Sequence, residues 1–437
     1  MMDPQEAHGE TEQPLPRLER PDRLQVDPNP KSIDELIPQD HPVRLVWELV
    51  EELNMTGLYE KIKSVEGHAG RPAIDPQILV ALWVYATAEG VASARRLAKL
   101  CYRDDPFKWL CGGVDVNYHT LADFRTAHPE WVEQQVVDVV ATLMHEGLID
   151  LNRVGQDGLR VRASAGSGSF KKEGKLEELL QQAQQQWQRL QEEFDNPSPE
   201  LSARQEAARR RAARERLERL ERAKEERKKL EAAREARKKG DGKRARASTT
   251  DPEARQMKMG DGGFRPAYNV EFATTLNTLV ITGADVINAG SDGGQMDPMV
   301  ERIESQQGEV PDEYYVDGGF SVKEDIDNVS QRGVTVYAPV KEAEKKQREG
   351  KDPYAPQKGD TPHVTAWRQR MGTEEAQAKY RQRGKCEWSN AMCRNRNLQQ
   401  FTVRGLAKVK AVVLWYVLLQ DLLRMVALRA QRAKPEA

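Results

Sequence analysis

The sequence predicts an α/β fold preceded by an all-α region and interrupted by a helical hairpin, and three observations predict it. Apolar residues recur at helical spacing from about His41, and the pattern changes to strict alternation from about Leu151. Between about Phe170 and Ala247 lies a long stretch of Arg, Lys, Glu and Ala with only a thin leucine seam.

Residues 1–40 lack periodicity and carry several prolines, as expected of a disordered leader. A helical region is expected over 41–148. Val46, Leu49, Val50 and Leu53 mark its first helix, and Asp75-Pro76 supplies an N-cap and a first-turn proline for a second, reaching about Ala88. A third helix starts near Ser93, Cys111-Gly112-Gly113 breaks the chain, and Thr120-Leu121-Ala122-Asp123 opens a further helix in the manner of a capping box. Arg95, Arg96 and Lys99 share one short helix, while His119, Thr120 and Arg125 stand at the start of the next.

Alternation then predicts strands over 151–162, 268–275 and 278–286, the last two joined across Leu276-Asn277. A helix from about Asp297, a strand ending at Asp317, a helix after Ser321 and a strand over 334–338 come next. Two closing helices follow, the first holding Glu387 and the second running from Leu406 to Leu428. Three strands and then alternating helix and strand is the order of a ribonuclease-H-like mixed sheet with flanking helices, assigned here to 149–172 and 248–428, with 429–437 as a tail. The interruption, 173–247, is expected to be an antiparallel coiled-coil hairpin. Leu176, Leu179, Leu180, Trp187 and Leu190 line its first helix, Asn196-Pro197-Ser198-Pro199 makes the turn, and Leu217, Leu220 and Leu230 mark the second.

Charge is unevenly spread. The net charge is only -2, yet 200–246 holds nineteen Lys/Arg against ten Asp/Glu, leaving a basic arm on an acidic body. Such a balance suits a protein that meets nucleic acid on selected surfaces. A solvated spacer is the plainer reading of the arm. Cys101, Cys111, Cys386 and Cys393 form no C-x-x-C pair and the seven histidines are scattered, so a zinc site is not expected, and free buried thiols are. No signal peptide is apparent, and the longest apolar run, 411–419, is flanked by charges and reads as a core face. A cytoplasmic protein without a membrane partner is expected.

Chemistry concentrates on a few acids. Asp157 in Gly155-Gln156-Asp157-Gly158 and Asp317 in Val316-Asp317-Gly318-Gly319 each end or interrupt a short apolar run beside glycine. Tyr380, Arg383, Glu387 and Arg394 fall three, four and seven residues apart, which on one continuous helix would place them on a common face. Two strand-borne acids and a third on a later helix can hold a pair of divalent cations for phosphodiester chemistry. A turn former before glycine is the duller reading of each Asp, and an intrahelical pair with Arg383 that of Glu387. Asp285, Asp292, Asp297 and Glu271 are the rival acids, and Trp388 is either a core residue or a platform for a displaced base.

Tyr380-x2-Arg383-x3-Glu387-x6-Arg394 resembles the Y-(2)-R-(3)-E-(6)-K signature of bacterial insertion-sequence transposases with an Asp-Asp-Glu (DDE) active site, with Arg in the last basic place. Matching segments in the family's order are 157–163, 250–255, 266–270, 316–320 and 401–406, so the resemblance spans about His41 to Leu428. It implies a ribonuclease-H-like fold in which Asp157, Asp317 and Glu387 are catalytic and bind two Mg2+, with Mn2+ a possible substitute. Tyr380, Arg383 and Arg394 would contact the DNA backbone. Arg95, Arg96 and Arg125 would belong to a helix-turn-helix reader of the transposon ends, a helical bundle with solvated cations being the alternative. The implied partners are the inverted-repeat ends and target DNA, and joining two ends implies a homodimer. A sequence-specific DNA-binding protein with a decayed or repurposed catalytic domain is the competing function. A coiled-coil interaction protein leaves the strand-borne acids without a reason.

Overall fold

The computed structural model describes residues 30–64, 72–195 and 202–433. Seven helices come first: α1 Pro42–Glu51, α2 Thr56–Tyr59, α3 Pro76–Ala88, α4 Ala94–Arg103, α5 Asp105–Cys111, α6 Tyr118–Ala127 and α7 Pro129–His145. Asp75 caps α3 by accepting from the Gln77 N–H, with Pro76 in the first turn as expected. The cap of α6 is not at Thr120. Asn117 accepts from the His119 and Thr120 amides, so the helix starts one turn earlier. Ordered chain also reaches further back than a leader over 1–40 allows, because Ile37 is buried and Asp34 binds Arg44 at 2.8 Å. Residues 1–29 of that leader lie outside the described residues.

The sheet is built on β1 (Arg153–Arg162), which is followed by a short strand β2 (Phe170–Lys171) and two long helices, α8 (Glu173–Asp195) and α9 (Ala203–Arg237). β3 (Ala247–Ser248) returns to pair with β2, clamping the base of the hairpin. The expected turn at Asn196-Pro197-Ser198-Pro199 lies outside the described residues. Leu176, Ala183, Leu220 and Ala223 are the buried seam of the hairpin, thin because alanine supplies half of it. Strands β4 (Arg255–Lys258), β5 (Phe264–Thr275) and β6 (Ile281–Ile287) follow, then α10 (Met296–Gln307), β7 (Glu313–Tyr315), α11 (Lys323–Gln331) and β8 (Thr335–Tyr337). The chain closes with α12 (Ala343–Arg348), α13 (Pro362–Met371), α14 (Glu374–Tyr380), α15 (Glu387–Asn395) and α16 (Leu406–Arg432). The last helix therefore continues through residues expected to form a tail.

The strand order is β4-β5-β1-β7-β8, with β6 also paired to β5. β5 lies antiparallel to β1, setting Asp157 opposite Phe272, whereas β7 lies parallel to β1 with Val154 opposite Tyr314. This is the ribonuclease-H-like mixed sheet expected from the element order. β4 was not expected, and the β5–β6 connection is longer than two residues, running over 276–280 with Leu279 at φ 62°. Thr275 Oγ1 and Asp421 of α16 receive the amides of Val280 and Ile281, which fixes that loop to the closing helix.

Besides the hairpin seam, three apolar cores result among the described residues. One lies among α10, α11, α13, β7 and β8; a second joins β1 and β5 to the first half of α16; a third packs α1–α7 against its second half through Trp415, Leu418 and Leu422. Among the described residues, α16 is the one helix long and apolar enough to cross a bilayer, and 72% of its most apolar window is buried between two cores.

Candidate active site

β1 carries its alternation into the site. Gln156 turns inward, accepting from the Tyr314 hydroxyl at 2.9 Å, so its neighbour Asp157 faces the opposite side. Asp317 lies two residues past the end of β7, which is parallel to and adjacent to β1, so both acids stand at one side of the sheet. The Gly319 N–H donates to Asp317 Oδ1 at 2.7 Å and orients it. A methyl group at Gly319 would sit 2.9 Å from both Asp317 Oδ1 and Asp292 Oδ2, so glycine there lets the two carboxylates come together.

Tyr380, Arg383, Glu387 and Arg394 do not share one continuous helix. Tyr380 ends α14, the segment Arg381–Cys386 is a 3-10 helix, and Glu387 starts α15. The break presses Cys386 onto β1, where a Cβ at Gly155 would come within 3.1 Å of the cysteine Cβ. Burial pushes the Cys386 thiol up to about 12, which keeps it a neutral packing group. Ser389 and Thr274 join α15 to β5 through buried hydroxyls 3.1 Å apart.

The consequence is a convergence on Arg383. Its guanidinium lies 3.6 Å from Asp157 Oδ1, 3.9 Å from Asp317 Oδ2 and 2.8 Å from Glu387 Oε1. Asn390, one turn beyond Glu387, donates to Asp157 Oδ2 at 2.7 Å. Burial, opposed by Arg383 and reinforced by the charges of Asp317 and Glu387, raises the pKa of Asp157 to about 6. Among the described residues no three His, Cys, Asp or Glu side chains already surround a point fit for an ion. The guanidinium stands between the acids instead. Arg383 Nε, Asn390 Oδ1 and Asn269 Oδ1 are buried without hydrogen-bond partners, as in a site that another group completes. Hard carboxylate oxygens around a shared cation position fit a divalent ion.

Of the rival acids, two join the site and two do not. Asp292 lines the same groove as Asp157 and Asp317, and Asn269 Nδ2 donates both to it at 2.6 Å and to Glu271 at 2.7 Å. Glu271 lies beneath, fully buried. Burial first, then the charge of Asp292, lifts its pKa to about 8, so it holds its proton near neutrality. Asp285 is taken by Lys410 and Arg302, and Asp297 by Arg332. The groove encloses about 730 Å³, with Arg160, Arg162, Arg265 and Arg394 among its walls. Glu387 lies beside a separate cavity of about 520 Å³ with Trp388, whose ring is half-buried and 5.8 Å from the Arg424 guanidinium.

The N-terminal cations divide. Arg95 and Arg96 are exposed on α4, Arg95 lying 5.2 Å over the Tyr118 ring. Arg125 is not available to DNA. It is 5% exposed, donates to the Ala92 carbonyl at 2.6 Å and stacks 4.4 Å from Trp83; burial lowers its pKa to about 10. Sequence reasoning passed over Asn390, although its place three residues after Glu387 sets it on the same helical face. Glu271 stood out only as a rival acid, and Asn269 not at all, because the link from Asn269 to Asp292 crosses 23 positions.

Two family models match the chain: a transposase domain (DUF772) over residues 31–127 and a transposase DDE domain over residues 240–420. The second contains Asp317 and Glu387 but starts after α9, and the hairpin separates β1 and Asp157 from the rest of the sheet in sequence. No curated protein and no solved structure matches the chain. With a ribonuclease-H-like sheet behind a helical region, and with both matches in order, the chain belongs to the insertion-sequence transposases of the DDE class.

Proposed function

We propose that this transposase cuts the ends of its insertion sequence and joins the freed 3′-hydroxyl to target DNA, using Asp157, Asp317 and Glu387 as its catalytic carboxylates. The observation that carries the reading is the meeting of these three acids, from three separate elements, on one guanidinium. Two Mg2+ ions, or Mn2+ in their place, would be held by these acids and when bound supply activation of the attacking oxygen and stabilisation of the departing one. Asn390 fixes Asp157, and the Gly319 amide fixes Asp317, so both present oxygens to the groove without rotamer search. Tyr380, Arg383 and Arg394 contact the DNA backbone, with Arg383 exchanging its carboxylates for phosphate.

In the first reaction a water oxygen bonds to phosphorus, the bond to the 3′-oxygen breaks, and that oxygen leaves with a proton as a hydroxyl. In the second the same hydroxyl oxygen bonds to a target phosphorus and the target 3′-oxygen departs. One site serves both because only the nucleophile changes. Arg95 and Arg96 on α4 serve end recognition, the active complex holds two copies of the chain, and the protein acts in the cytoplasm.

The test is nicking of a labelled duplex carrying the element's end, in magnesium, in calcium and in EDTA, with wild type and Glu387→Ala in parallel and binding measured on the same samples. Magnesium-dependent release of a 3′-hydroxyl that the variant loses supports the reading. Binding without cleavage in every metal condition, with paired ends supplied, overturns it in favour of a DNA-binding protein without catalysis.

A further inference from the structure

The cations beyond the acid groove are not arranged like those elsewhere on the hairpin. Arg227 is neutralised by Glu173 and Glu231, Lys224 by Glu177 and Arg234 by Asp241. Along the middle of α9, and at Arg404 on the catalytic domain, the arginines turn to neutral oxygens instead. Arg404 donates to the Ser164 carbonyl at 3.2 Å, Arg219 to the Thr249 carbonyl at 3.2 Å, Arg216 to Gln186 at 2.9 Å and Arg222 to the Glu218 carbonyl at 3.4 Å. None of the four is paired with a carboxylate among the described residues.

The anchors of Arg404 and Arg219 lead back to β1. The segment over 399–401 runs beside its C-terminal end, with the Arg162 N–H donating to the Gln399 carbonyl and the Phe401 N–H to the Arg162 carbonyl. Ser164 follows two residues later and holds Arg404, while the Thr249 N–H donates to the Ser169 carbonyl and Thr249 holds Arg219. Burial first, and then the guanidinium of Arg404, depress the pKa of Arg219, outweighing the opposing charge of Glu215, as expected of crowded cations. Arg162 and Arg394, both exposed, line the groove at the other end of this path.

We propose that Arg394, Arg162, Arg404, Arg219, Arg222 and Arg216 form one phosphate track, which carries a flank of the DNA from the acid groove along β1 to the middle of α9. The proposal rests on the transposase reading and goes beyond it by assigning the surface. From Asp157 to Ser164 the strand direction covers roughly 23 Å at about 3.3 Å per residue. Successive phosphates on one strand of duplex DNA advance about 3.4 Å, so this first part alone spans about seven nucleotides. The hairpin base is fixed rather than swinging: Glu226 on α9 binds Arg255 on β4 at 2.5 Å, and both are largely buried.

The experiment measures affinity of the full chain for a labelled random-sequence duplex against salt concentration, since phosphate contacts carry no sequence information. The pair Arg219→Gln with Arg404→Gln should lower the slope of log affinity against log salt by about 1.8, at about 0.9 per lost contact. Arg222→Gln alone, at an exposed position, should lower it by about 0.9. Arg219→Lys with Arg404→Lys, which keeps both charges, should retain the wild-type slope. Unchanged slopes in the Gln variants, with wild type binding normally, overturn the track and leave the transposase reading standing. Failure of wild type to bind DNA at all overturns both.

Discussion

Replacing Glu271 by Gln should make the stability of the protein less sensitive to rising pH. Glu271 is 1% exposed, and its pKa moves from 4.5 to about 8, through burial first and the charge of Asp292 second. Between these values the folded protein holds a proton that the unfolded chain has released. The stability contributed by this group is therefore complete below about 4.5, falls as pH rises, and is gone above about 8. The slope in that window is about 1.4 kcal/mol per pH unit, so the whole window is worth at most about 3 to 5 kcal/mol. The amide of Gln does not ionise and keeps the shape that Asn269 and Gln156 contact. Urea unfolding of metal-free protein, wild type beside variant, should show the variant gaining on wild type by about 1 kcal/mol for each pH unit from neutral to about 8. Parallel curves across that interval would refute a protonated carboxyl beneath the groove.

The remaining predictions address the site and its supports. Arg383→Gln removes the cation standing among the acids, so Mn2+ should bind the DNA-free variant more tightly by calorimetry; equal or weaker binding would show that the guanidinium does not compete with metal. Gly319→Ala places a methyl 2.9 Å from Asp292 and Asp317, and should slow metal-dependent nicking by about tenfold or more with little change in unfolding midpoint. A wild-type nicking rate there would remove Asp317 from the site. Arg125→Ala should destabilise the protein by about 2 to 5 kcal/mol in urea, because it empties a buried position and removes the short hydrogen bond to the Ala92 carbonyl. If stability instead stayed level while DNA affinity fell, Arg125 would be a surface contact.

Much of this arrangement was legible in the chain, for reasons that are local. The cap at Asp75 with Pro76 depends on adjacent residues, and the strand pattern of β1 on alternation within ten. Asp157 and Asp317 could be picked out because both interrupt apolar runs that end in glycine. What was not legible depends on contacts across the sheet. The helix through Tyr380 and Glu387 breaks because Cys386 must reach Gly155, more than 200 positions earlier, and no periodicity within the segment encodes that neighbour. Arg125 has the composition of a surface residue and is interior because Trp83 offers its ring. Thr120 looked like a cap because Asn117 is equally able to supply one three residues earlier. The pairing of Glu271 with Asp292 through Asn269 is invisible until β5 is laid beside the loop after β6.

The division of α16 between two cores bears on how the protein is made. Trp415 donates to the Arg125 carbonyl across 290 positions, and Arg429 binds both Glu52 and Glu146. After Arg125 leaves the peptidyl-transferase centre, translation at about 5 to 20 residues per second needs about 15 to 60 s to deliver Trp415. For most of that interval the amino-terminal helices are out of the ribosome with the apolar face that awaits Trp415, Leu418 and Leu422 uncovered. The nascent chain is thus exposed to chaperones and to aggregation for most of its synthesis, and a ribosome that stalls before α16 releases a product unable to close its first core.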